Sequence, residues 1–345
     1  MRIFSGCYTA SVTPMKKSLA VDYEGLKRLV EFQLSEGAGG MLAVGTTGES
    51  PTLSWEEHVK VINSMYDYAD GRGLVIGGTG SNNTKESFEA TNVVSEHGIE
   101  CVLLVDPYYN GPSSLEIRKE YVEPIAQKFP EVQIIPYVIP SRSGTQLLPQ
   151  DLAILHSQFK NVRAVKEATG SIETMRLTRQ LCGEDFDILS GDDDKTVEMM
   201  TDPKIAASGV ISVTSNVAPG AVQKLVQAIL NGKSNEAQRL SEALKPLFGM
   251  VTVKTQEDTP YGPALCKARN PLAYKTLMNV LGMPSGPCRR PLGKMTEKGL
   301  QTVLDVARTV YEKTPEVLEP IESFFDVDVS KRLYDKKNWR GLSYD

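Results

Sequence analysis

The chain has 345 residues, of which 41% are hydrophobic and 23% charged, with a formal net charge of −5. That is enough for one large domain and a smaller appendage without disulfide support, and no stretch approaches the roughly 18 apolar residues of a membrane span. With no basic run beyond Arg289-Arg290, the chain carries no electrostatic footprint for nucleic acid, so a small-molecule partner is expected.

The N-terminus, MRIFSGCYTASVTP, lacks the order of a signal peptide and runs directly into a strand-like pattern, which predicts a mature cytoplasmic start. From there apolar, β-branched runs recur at Gly6 to Thr13, Gly40 to Gly45, Leu74 to Thr79, Cys101 to Asp106, Gln133 to Val138, Val162 to Lys166, Asp187 to Gly191 and Gly209 to Val213. Helical spacing fills the intervals at Tyr23 to Ser35, Trp55 to Ala69, Lys85 to His97, Glu116 to Phe129, Gln150 to Ser157, Ile172 to Leu181 and Thr196 to Met200, with Ala221 to Leu230 after the last strand. Ser54 with Glu57 forms a capping box, and Thr84 is the expected cap of the helix beginning at Lys85. Strict alternation implies parallel strands joined by right-handed crossovers. Eight such units predict an α/β fold, a (β/α)8 TIM barrel over residues 1–231. An open doubly wound sheet is the rival, disfavoured because no glycine-rich nucleotide loop follows the first strand.

Beyond Leu230 the pattern turns to helix upon helix, at Asn235 to Val251, Gly262 to Leu281 and Thr296 to Glu312. This predicts a C-terminal helical domain over residues 232–313, interrupted by a Pro-rich loop from Met283 to Pro287. Residues 314–345 are too aromatic for a solvated tail and are expected to pack on the barrel or a neighbouring subunit.

Five cysteines without CxxC spacing are expected to be reduced thiols. The three histidines, His58, His97 and His156, lie far apart and are expected at the surface or at helix ends. They leave little for a metal site or a serine-histidine triad. In a barrel the reacting groups stand at the C-terminal ends of strands. There this chain carries Gly45 to Glu49, Asp106 to Asn110, Tyr137 followed by Arg142, and Lys166-Glu167, expected to converge on one mouth. A lysine closing an apolar strand is costly if charged and buried. Lys166 is either half of an ion pair, with Glu167 or another carboxylate, or a desolvated, neutral nucleophile able to form an imine with a ketone. Adjacent strand residues face opposite ways, which sets Glu167 apart from it. Tyr137, Thr46 and Tyr109 are the available hydroxyls for proton transfer, though each alone could only cap a turn or fill the rim. The Thr46 and Thr47 hydroxyls and the Arg142 guanidinium suit carboxylates, while Arg142 could also be a plain surface arginine.

These segments, namely Gly45 to Glu49, Pro107 to Asn110, Tyr137 to Gly144, Val165 to Gly170 and Gly209 to Thr214, together resemble the dihydrodipicolinate synthase and N-acetylneuraminate lyase family, from about Gly6 to Tyr311. The resemblance implies a lyase without cofactor, in which Lys166 forms a Schiff base with pyruvate and Tyr137, Thr46 and Tyr109 relay protons. It implies that Thr47 holds the pyruvate carboxylate, that Gly191 and Ile211 line the imine pocket through their backbones, and that Arg142 binds the carboxylate of an aldehyde co-substrate. Tyr109 would reach into an adjacent subunit, making the protein a homo-oligomer, a dimer or a tetramer. An arginine at position 142 favours the lysine-pathway branch, which condenses pyruvate with L-aspartate 4-semialdehyde. An allosteric lysine site would fall on Ser50, His58, Asn82, Glu86 and Tyr108, with Pro51 and Trp55 departing from common forms. Val138-Ile139, the Asp192-Asp193-Asp194 run and the tail are further departures. The alternatives are a sister class I aldolase or dehydratase acting on a 2-oxo-3-deoxy acid and, further off, a catalytically silent binding barrel or a metal-dependent aldolase.

Overall fold

The computed structural model describes residues 3–344. Eight parallel strands close into a barrel in sequence order: β1 (Gly6–Ala10), β2 (Gly40–Ala43), β3 (Leu74–Gly78), β4 (Cys101–Val105), β5 (Gln133–Val138), β6 (Ala164–Glu167), β7 (Asp187–Ser190) and β8 (Gly209–Ser212). Closure is made where β8 pairs with β1, Gly209 lying opposite Gly6. There the backbones approach so closely that a Cβ on Gly209 would stand 2.1 Å from the Gly6 carbonyl oxygen, a position only glycine tolerates. Val102, Leu103, Leu104, Ile134 and Ile135 are all buried, because side chains fill the barrel within and helices cover it without. Most strands end one to three residues earlier than the sequence suggests, as the chain leaves the ladder to form the site loops.

The helices Tyr23–Ser35 and Trp55–Ala69 have the expected bounds, and the Ser54–Glu57 capping box is formed in both directions. The next helix, Thr84–Glu96, is capped by Asn83 rather than Thr84, since the Asn83 side-chain oxygen accepts from the Lys85 N–H at 3.1 Å. Within the helical stretch 114–128 the turn from Ile117–Val122 widens to π geometry. Its Arg118 binds Glu123 at 2.6 Å and Asp151 at 2.7 Å.

The second half holds the largest departure. Helix Ser234–Phe248 is followed not by a helix from Gly262 but by an antiparallel hairpin, β9 (Thr252–Thr259) and β10 (Gly262–Arg269); helix begins only at Leu272 and runs to Leu281. The reason lies in the Pro260-Tyr261-Gly262 turn, where Gly262 takes a φ of +106°. The Thr259 hydroxyl closes that turn, accepting from the Tyr261 N–H and donating to the Gly262 carbonyl. Val253 and Ala268, opposite each other in register, supply the buried face of the ribbon.

Helix Glu297–Lys313 and the short helices Glu319–Phe325 and Val329–Tyr334 complete the chain. The tail lies against the barrel: the Phe324 and Phe325 rings sit 5.2 and 5.1 Å from that of Phe32 on helix Tyr23–Ser35. Arg332 ties it to the C-terminal end of Leu272–Leu281 through the carbonyls of Val280 and Asn279. Among the described residues no helix is long and apolar enough to cross a membrane.

Candidate active site

At the C-terminal ends of the strands lies a cavity of about 310 Å3 lined by Thr46, Thr47, Tyr137, Arg142, Lys166 and Gly191, six of the residues singled out from sequence. Lys166 stands on β6 directly opposite Tyr137 on β5, so pleat and register alone put both side chains on the inner face. The ammonium nitrogen lies 4.2 Å from the Tyr137 ring centroid, and the residue is 5% exposed. Burial brings its pKa down from 10.5 to about 8, against the opposing pull of Asp192 and Asp193. Glu167 points the other way and accepts the Thr169 N–H at 2.7 Å, so it does not pair with Lys166. Of the two explanations for a buried lysine here, the desolvated amine fits the geometry.

Burial likewise pushes the Tyr137 hydroxyl up, partly offset by Arg142 and by a hydrogen bond with Thr46. It is therefore a proton-holding group at neutral pH, connected to a second hydroxyl. Thr47 accepts from the Asn270 amide at 2.9 Å, and the amide oxygen of Asn270 is buried without a partner. Arg142, on the one-turn helix Pro140–Ser143, donates to the Asn270 carbonyl at 3.3 Å. Gly191 follows β7 and accepts no side chain without displacement, since a Cβ would meet that of Ala168 at 2.8 Å and Lys166 Cε at 3.2 Å.

Other expectations change. Ile211 is buried in β8 and its side chain is not in the cavity wall, to which Val213, just after β8, contributes. Glu49 does not reach the mouth; its carboxylate pairs with Lys275 Nζ at 2.6 Å in the interior and also accepts the Arg289 N–H at 2.7 Å. The end of β4 diverges as well. Asp106 turns inward to accept the Leu147 N–H, and burial raises its pKa to about 8. Tyr109 points away from its own barrel, 91% exposed and held at a φ of +81°.

Ser50, His58, Glu86 and Tyr108 meet in a separate cavity of about 190 Å3, together with Pro51, Trp55 and Ser81; Asn82 is exposed and not in its wall. His58 is buried, unlike the surface position expected: Nε2 lies 2.6 Å from the Gly78 carbonyl and the ring stacks on Trp55. All five cysteines are free thiols. Among the described residues no group of three or more His, Cys, Asp or Glu side chains could hold a metal ion.

Several lining residues escaped sequence reasoning. Among the described residues Asp192 is the single acid in the wall, its pKa raised to about 6 by burial and by its neighbour Asp194. Its position one residue after Gly191, at the end of β7, was the available signal. Thr252, Lys254, Lys267, Arg269 and Asn270 come from the hairpin and its exit, which a helical reading of that segment hides.

Comparison with known proteins identifies the family. The model of the Dihydrodipicolinate synthetase family matches residues 3–310. The chain is 37% identical over 292 residues to the 4-hydroxy-tetrahydrodipicolinate synthase of Methanococcus maripaludis, covering 85% of this chain and 93% of that protein. Its fold is similar to that of the dihydrodipicolinate synthase from Aquifex aeolicus, with a TM-score of 0.81, 36% identity and coverage of 92% and 100% of the two chains. It is similar also to the synthase from Cyanidioschyzon merolae solved with lysine bound, with a TM-score of 0.81, 29% identity and coverage of 90% and 99%.

Proposed function

The chain belongs to the Dihydrodipicolinate synthetase family, and from that premise we propose that it is a class I aldolase condensing pyruvate with L-aspartate 4-semialdehyde to 4-hydroxy-tetrahydrodipicolinate, on the route to diaminopimelate and lysine. The single observation that carries the reading is Lys166, a buried amine with its pKa brought to about 8, set over the ring of Tyr137, whose hydroxyl is hydrogen-bonded with Thr46.

In this reading the neutral Lys166 amine adds to C2 of pyruvate, and Tyr137, linked to Thr46, delivers the proton that lets the C2 oxygen leave as water. Loss of a C3 proton from the imine gives an enamine, whose C3 attacks the aldehyde carbon while the aldehyde oxygen is protonated. The acceptor's amino group then attacks C2, closing the ring and releasing Lys166 as a free amine. No external cofactor enters this sequence. Thr47, held by Asn270, takes the pyruvate carboxylate, the Gly191 and Ile211 backbones support the imine pocket, and Arg142 takes the carboxylate of the aldehyde. Tyr109 completes the relay of a neighbouring subunit, a role that its exposure and strained φ support, so the active unit is a homo-oligomer, at least a dimer, working in the cytoplasm. The Ser50, His58, Glu86 and Tyr108 cavity is the candidate lysine feedback site.

The test is a coupled assay with pyruvate and L-aspartate 4-semialdehyde, beside Lys166→Ala and Arg142→Ala. The expected outcome is turnover abolished by the first and an aldehyde KM raised by the second, with pyruvate still trapped by borohydride in Arg142→Ala. An imine without turnover would instead mean a sister aldolase. No imine at all would end the class I reading.

A further inference from the structure

The cavity holds more positive charge than the proposed reaction uses. Pyruvate's carboxylate is matched to Thr47 and that of the aldehyde to Arg142, yet Lys254, Lys267 and Arg269 also line the wall, against Asp192 as its one acid. None of the three hairpin cations pairs with a carboxylate among the described residues, whereas the acids of the same hairpin are engaged elsewhere. Asp258 binds Lys298 at 3.2 Å, and Glu257 is held by Thr255 and Thr296. Lys254 and Lys267 lie directly opposite each other across the ribbon, a like-charge pairing that destabilises a two-stranded sheet. The root of the hairpin is nonetheless fixed over the mouth by two crossed hydrogen bonds. Arg269 donates to the Ser141 carbonyl at 3.3 Å, and Arg142 donates to the Asn270 carbonyl at 3.3 Å. Two guanidinium groups are thus braced side by side, each with donors left over.

We propose that Lys254, Lys267 and Arg269 form a second anion subsite at the mouth of the catalytic cavity, continuous with Arg142, whose ligand is a small organic acid bearing two or more carboxylates. Two sources share that chemistry: the dicarboxylate adduct formed from pyruvate and an acidic aldehyde, or a separate polycarboxylate that occupies the mouth and inhibits. The uncompensated lysine pair is relieved when the anion binds, and the field of the cluster draws acidic ligands toward Lys166. The place of Arg142 in this subsite rests on the aldolase reading; the subsite itself is tested without turnover.

Calorimetric titration at low salt with acetate, succinate and propane-1,2,3-tricarboxylate reads it directly. Affinity should rise with each added carboxylate. Lys267→Glu should lose on the order of 10-fold or more in affinity for the tricarboxylate. This variant places opposite charges across the ribbon at Lys254, so its unfolding midpoint should hold or rise, separating loss of the subsite from loss of the hairpin. Lys254→Glu is the companion variant and should behave alike. If aldehyde KM rises along with the lost tricarboxylate affinity, the reaction's own adduct uses the subsite; if only tricarboxylate inhibition weakens, a separate effector does. Equal tricarboxylate affinity in the native protein and both variants overturns the proposal. Failure of the aldolase reading is recognised separately, as absence of a borohydride-trapped pyruvate adduct on Lys166.

Discussion

Replacing Lys166 by methionine should stabilise the folded chain at neutral pH while abolishing its nucleophile. Burial lowers the folded-state pKa of this lysine from 10.5 to about 8, and at about 1.4 kcal/mol per unit the charged amine costs the native state roughly 3 kcal/mol. The sign follows from proton counting. Between pH 8 and 10.5 the unfolded chain binds more protons at this site than the folded one, so this site's contribution to stability rises with pH over that interval. Below pH 8 the full cost is present; above the unfolded value it is gone. Methionine fills a similar volume without charge, with a repacking cost under about 1.5 kcal/mol. The net gain should therefore be about 2 kcal/mol at pH 7 and should fall across the window to a net loss of about 1 kcal/mol, the repacking cost alone, near its top. Urea midpoints and slopes for both proteins at the two ends supply the measurement, since other lysines and tyrosines titrate in both and cancel in the difference. A gain that is absent, or that is the same at both ends, would refute the idea that desolvation sets the state of Lys166.

The same shift governs reactivity: the rate of imine formation with pyruvate, followed by borohydride trapping, should climb with pH and level off above about pH 8, and a climb continuing past pH 10 would count against it. Lys275→Met leaves the Glu49 carboxylate buried without its cation and should cost about 3–5 kcal/mol, read by denaturant unfolding, with Glu49→Gln in the same chain restoring part of the loss. Tyr109→Ala removes an exposed side chain and should change stability by less than about 0.5 kcal/mol, yet remove most activity. Co-refolding it with the inactive Lys166→Ala should recover activity in mixed oligomers, where one intact site can form; no recovery would place Tyr109 outside the neighbour's site.

Much of the site is legible in the chain because a barrel strand has a fixed geometry. An apolar run that ends in a lysine, a tyrosine or a pair of threonines places those groups at the mouth, since strand direction and pleat leave them little choice. Lys166, Tyr137, Thr46, Thr47, Arg142 and Gly191 are found together for that reason. Local rules also determined the long amphipathic helices and the Ser54 cap. What only the tertiary structure decided are matters of direction and of distant partners. Glu49 follows the same loop as Thr46 but turns inward, because Lys275, 226 residues away in sequence, completes a pair there. Tyr109 is 91% exposed while its backbone N–H stays bonded to the Ser143 carbonyl, and its φ of +81° is a conformation no residue pattern announces. The hairpin from Thr252 to Arg269 was hidden because apolar spacing in a half-exposed ribbon serves helix and strand equally well. Pairing between the two strands resolved that ambiguity, and it carried Lys254, Lys267 and Arg269 to a cavity whose barrel walls come from residues between Thr46 and Val213.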